Sequence, residues 1–154
     1  MRRIFILYFT LLVSACFQAD APAEISASSK EIQPATEDLQ VNSAVNDALV
    51  NAYQNKQSQV WVAGSGIVKK LLADDNKGAR HQKFLVKINA QQTLLFAHNI
   101  DLAPRIDDLQ VGDTVEFKGE YVYNPKGGVM HWTHHDPKGD LHGGWIKHHG
   151  KTYE

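Results

Sequence analysis

The chain has 154 residues, a formal charge of −1, and 43% apolar against 21% charged side chains. That length holds one domain, or one domain and a tail, and that composition excludes wholesale disorder. The charge balance excludes a broad basic field for duplex nucleic acid, and the single cysteine excludes both an internal disulfide framework and a Cys-rich zinc module.

Arg2 and Arg3 precede the apolar run IFILYFTLLV at residues 4–13. Ten residues are too few to span a bilayer, which takes about 20 in a helix, but they suit the core of a signal peptide over residues 1–15. Val13, Ser14, Ala15 and Cys16 follow, and this run resembles a bacterial lipobox. The resemblance implies that Cys16 is lipidated and becomes the new N-terminus. Several acyl chains hold a membrane stably where one does not. Gln18 at the second mature position implies, by the same resemblance, sorting to a Gram-negative outer membrane, with the domain facing the periplasm or the surface.

Residues 16–40 carry Pro22, Pro34 and many small side chains without an apolar period, and read as a flexible tether. An amphipathic helix is expected over 41–58, capped by Ser43, with Val45, Leu49, Ala52 and Tyr53 on its packing face. From Gln59 the pattern turns to β. Strands are expected over 59–71, 83–88, 93–98, 114–123 and 129–135. Gly64 and Gly66 predict a bulge or sharp coil in the first, and residues 74–78 and 124–128 have turn chemistry. A three-stranded meander, a long crossing over 99–112 and a final hairpin resemble the OB-fold, a five-stranded Greek-key barrel, over 59–135. An open β-sandwich is the alternative. The remainder, 136–154, is a His-rich tail that Trp145 and Tyr153 can anchor on the barrel.

Longer motifs carry a narrower resemblance. They are HQKF at 81–84, AHNIDLAPRI at 97–106, GEY at 119–121 and GGVMHWTHHDP at 127–137. Together they resemble an uncharacterised bacterial family of small exported proteins and lipoproteins, across residues 59–154. The resemblance implies membership and no activity.

All eight histidines lie between His81 and His149, and six of them fall from His131 onward. Imidazole is the commonest metal-ligand side chain, and two or three with a carboxylate suit zinc, copper, nickel or iron. In an OB barrel the third and fifth strands run parallel, so their ends meet at one rim. That predicts His98 beside His134, His135 and Asp136. Period two places His131, Thr133 and His135 on one face and Met130, Trp132 and His134 on the other, with Trp132 inward. The expected ligands are therefore His98, His131, His134, His135, Asp136 and His142. His81, Asp101, His148, His149, Arg80 and Arg105 are candidates for supporting or ligating roles. Solvated loop histidines without a site are the bland alternative.

Three functional readings stand. The first is a tethered envelope module binding a divalent transition metal, zinc foremost, or a small polar ligand at a His-rich rim. The second is a metal-dependent hydrolase, conceivably acting on a phosphodiester. His98, His134 and His135 would hold its ion, Asp136 or His81 would act as base, and Arg80 or Arg105 would steady an oxyanion. The third is an OB-type single-stranded nucleic-acid or structural module. Trp61, Tyr121, Tyr123 and Trp132 could stack bases there, but residues 59–154 carry only 12 Lys and Arg against 11 acids.

Overall fold

A computed structural model of the protein describes residues 36–139 and 142–154, with side chains described from residue 44. The signal segment, Cys16 and the tether up to residue 35 lie outside the described residues. One helix, α1 (Thr36–Gln54), precedes seven strands. These are β1 (Val60–Leu71), β2 (His81–Lys87), β3 (Thr93–Asn99), β4 (Thr114–Val122), β5 (Val129–His131), β6 (Trp145–His148) and β7 (Lys151–Tyr153). Among the described residues, no helix is long and apolar enough to cross a membrane.

The sheet closes. β1 pairs with β2, β2 with β3, β3 with β5, β5 with β4, and β4 returns to β1 over eight residue pairs. All contacts are antiparallel except β3–β5. This is the OB-type barrel that the strand pattern predicts, and the open sandwich is not formed. Alternate residues point inward, so Val86, Phe84, Leu94, Phe96, Val115, Phe117, Tyr121 and Met130 are fully buried. Phe96 stacks on Phe84 and meets Phe117 edge-on, each at 4.9 Å between ring centroids.

Local expectations for the helix, for β1 and for the fifth strand need correction. The helix starts at Thr36, so Ser43 lies inside it and cannot be its N-cap. Its packing face is also turned. Leu49 and Ala52 are buried as expected, but Val45 is 46% exposed and Asn46 is buried in its place. The reason is a two-pronged bond: Asn46 Nδ2 donates to the Ser65 carbonyl, and its Oδ1 accepts from the Ser65 amide, both at 2.9 Å. Gly64 makes that approach feasible, since a Cβ there would lie 2.5 Å from Asn46 Oδ1. The glycine therefore serves helix packing. The irregularity of β1 falls later, between Val68 and Lys70.

The third correction concerns the fifth strand. It stops at His131, because Trp132 adopts a left-handed backbone with φ of 51°. On β4, His131 pairs with Glu120 and Trp145 pairs with Lys118. β1 occupies the other edge of β4, so β5 and β6 run one after the other along the same edge. Residues 132–144 are thus an excursion inserted into one nearly continuous ladder. Its ends pinch together at Gly144, where a Cβ would come within 1.9 Å of the Trp132 carbonyl oxygen. The tail then forms a β6–β7 hairpin that contributes Ile146 and Tyr153 to the core.

Candidate metal centre

β6 alternates Trp145 and Lys147 outward with Ile146 and His148 inward, which buries the His148 side chain completely. A buried imidazole needs partners. One is Asp113, at the entrance to β4: its Oδ2 lies 2.7 Å from His148 Nε2. The same oxygen accepts the Gln110 amide at 2.7 Å. That amide bond, and secondarily His148, hold the Asp113 carboxyl below the usual range. A carboxylate only accepts, so Nε2 carries the proton.

The other ring nitrogen is left bare. His148 Nδ1 is buried and has no hydrogen-bond partner. Its nearest charged neighbour is Asp108 Oδ1 at 3.5 Å, from the irregular β3–β4 crossing. A lone pair facing a carboxylate is repulsive, so the position calls for a positive charge between them. An extra proton on His148 would supply one; a cation would supply another. Further donors lie close by. His149 places Nδ1 3.9 Å from Asp108 Oδ2, and the Tyr153 hydroxyl donates to Asp108 Oδ1 at 3.4 Å. Among the described residues, Asp108, His148 and His149 form the group of three whose ligand atoms all lie within 4.8 Å of one another.

Local structure explains His149. Residues 149 and 150 have φ of 47° and 77°, and His148 pairs with Lys151. This is a two-residue type I′ turn, with Gly150 supplying the second left-handed position. The turn stacks the His149 ring on that of His148 at 3.9 Å. Stacked rings cannot both point at one ion in their own planes. His149 is 65% exposed, so holding an ion would require its ring to turn out of the stack. The group offers two imidazoles and one carboxylate, a donor set suited to zinc and its neighbours. The Asp113–His148 bond supplies the outer support that metal-bound histidines usually have.

The rim set is only partly gathered: His131 and His134 line one groove with His81, while His98, His135, Asp136 and His142 are not part of that lining. His98 sits inside the barrel with both ring nitrogens engaged. Nε2 donates to the Pro104 carbonyl at 3.1 Å, and Nδ1 accepts from the Thr133 hydroxyl at 2.8 Å. Burial pushes its pKa down to about 4. It rivets β3 to the crossing and to the excursion, and it offers no lone pair to an ion. His135 and His142 are exposed, and Asp136 caps its own turn through the Lys138 amide. His131 faces outward from β5 as expected, whereas Thr133 and His134 are both buried once the strand has broken. Trp132 leaves the ladder and does not enter the core as part of a strand.

The proposed oxyanion and carboxylate partners are committed to one another. Arg80 Nε meets Asp101 Oδ1 at 2.6 Å, and the Arg80 amide donates to Asp101 Oδ2 at 2.7 Å. Those bonds, the amide first, hold Asp101 below the usual carboxylate range. Arg105 is shared between Asp74 at 3.1 Å and Asp107 at 2.9 Å, which raises its pKa. Asp108 and Asp113 are the candidate-site residues that sequence reasoning missed. Both lie in a crossing without periodicity, and the only available signal was their place opposite a His-His-Gly turn in a closed barrel.

Barrel, helix and a His/Asp cluster where the β3–β4 crossing meets the C-terminal hairpin define a small β-barrel protein with a candidate cation site. The chain belongs to DUF3465, a family described as a protein of unknown function, whose model matches residues 32–154. Among curated proteins, none matches the chain.

Proposed function

We infer that this protein is an envelope-anchored module that binds a divalent transition ion, with zinc the leading candidate, through His148 Nδ1, His149 and Asp108. The observation that carries the reading is the buried, unpartnered Nδ1 of His148, directed at Asp108 while Asp113 holds the opposite nitrogen. Lipidation of Cys16 would tether the barrel to the outer membrane, and the lipobox-like run at 13–16 supports that part.

The ion is tested by elemental analysis and zinc calorimetry on protein purified without an affinity His-tag. Binding of one ion per chain is expected, weakened at least tenfold in His149→Ala and Asp108→Asn. Both residues are exposed, so neither change threatens the fold. Absence of binding, or binding unchanged in both variants, would refute the assignment. The anchor is tested separately by labelled fatty-acid incorporation, which Cys16→Ser should abolish.

A further inference from the structure

A second constellation lies elsewhere on the barrel and owes nothing to the metal reading. The outer face of β2, β3 and β5 meets the excursion in a groove of about 230 Å³. His81, Asn99, His131 and His134 supply its polar lining, and Trp132 forms part of its wall. Ala97 and Leu102 make the remainder apolar. No permanently charged side chain lines it among the described residues.

The lining offers both donors and acceptors. A neutral imidazole carries a donor on one ring nitrogen and an acceptor on the other, and Asn99, whose Oδ1 already accepts the Asp101 amide at 2.9 Å, keeps its Nδ2 as a donor. Burial holds His131 below the usual imidazole range, which keeps it neutral near pH 7. His134 Nδ1 donates to the His135 carbonyl at 2.7 Å, so its Nε2 is left as an acceptor. The Trp132 and His134 rings pack together at 5.2 Å between centroids, giving an aromatic flank. Trp132 reaches this place only through its left-handed backbone at φ 51°, a conformation that costs energy in a bulky residue.

An ion is a poor fit here, since His81, His131 and His134 are not among the groups whose ligand atoms approach within 4.8 Å. A charged ligand lacks a counter-charge in the lining. The volume falls below the roughly 300 Å³ at which drug-sized sites begin, so one or two fused rings fill it. We propose that this groove binds an uncharged planar nitrogen heterocycle of the purine or pyrimidine class, flanked by Trp132 and hydrogen-bonded by His81, His131 and Asn99. The free base or nucleoside is favoured over a base within a strand. The nearby cations that would hold phosphates are already matched, Arg80 by Asp101, Arg105 by Asp74 and Asp107, and Lys83 by Asp75.

The test is titration of the full chain with adenosine, with a short oligo-dA and with zinc, read by calorimetry and by the NMR signals of the His131 and Trp132 side chains. Adenosine is expected to bind with micromolar to millimolar Kd and to shift both signals. His131→Ala and Trp132→Leu should each weaken it at least tenfold while the circular dichroism spectrum is kept, and His149→Ala should leave it unchanged. Failure of adenosine to shift either signal at millimolar concentration would overturn the proposal, as would binding unaltered in both groove variants. Oligo-dA binding without adenosine binding would reassign the groove to a strand, and zinc shifting the same signals stoichiometrically would reassign it to a metal. Loss of zinc binding in His149→Ala with adenosine binding intact would separate this site from the metal centre.

Discussion

Among the three imidazoles buried in the described residues, His98 and His148 have opposite fates. His98, on β3, spends both nitrogens on the protein itself, one on the Pro104 carbonyl and one on the Thr133 hydroxyl. His148, on β6, spends one on Asp113 and keeps the other bare toward Asp108. Burial alone therefore does not make a histidine functional. What matters is the valence left over once the fold has satisfied what it can, and of these two only His148 retains one.

The largest effect expected from breaking this contrast is on stability. His98→Ala removes a fully buried ring and strands two polar partners, so it should cost about 3–4 kcal/mol in chemical denaturation. Zinc stoichiometry should stay the same. If zinc binding disappears while the fold survives, His98 is not the structural member of the pair.

Next is a pH effect from the same ring. Its folded pKa is about 4 against 6.5 for an ordinary imidazole, so the unfolded chain takes up the proton first. The stabilisation is complete above pH 6.5 and is lost as pH falls toward 4, about 3 kcal/mol in all. Denaturant midpoints measured across that window check it, and His98→Gln should flatten the slope.

At His148 the expected effects are smaller and fall on binding. Asp113→Asn keeps an oxygen for the Gln110 amide and for Nε2 but removes the negative charge, which weakens the bond that holds the proton on Nε2. Zinc affinity should drop ten- to a hundredfold, and Asp113→Glu should recover part of it. Nitrogen-15 shifts of the His148 ring would report the tautomer directly. The smallest change is His149→Ala in metal-free protein. An exposed turn residue should move stability by no more than about 0.5 kcal/mol. The same variant should nonetheless lose the rise in melting temperature that zinc confers on the parent chain.

Much of the fold was legible because its signals are local. Alternation in LLFAH and TVEFKGEYV marks strands wherever they pair, and the Asn124–Gly128 cluster marks the final hairpin turn. The site was less legible. Counting period two from Met130 assigns faces correctly only up to His131, because the strand breaks at Trp132. The count restarts with a new phase at Trp145, after thirteen residues without period. The inward direction of His148 could not be reached by counting across that gap. Nor could the sequence distinguish Asp108 and Asp113 from neighbouring Asp101 and Asp107, which the fold commits to arginines.

The amino-acid order by itself determined the β character of the barrel and the turn at 124–128, since these follow from alternation and turn chemistry acting over a few residues, whereas the β6–β7 hairpin lies in what reads as a tail. Only the tertiary structure decided which imidazoles are consumed and which keep a free nitrogen. That outcome depends on partners some 35 positions away in the chain, Thr133 for His98 and Asp113 for His148, brought within hydrogen-bonding reach by closure of the barrel.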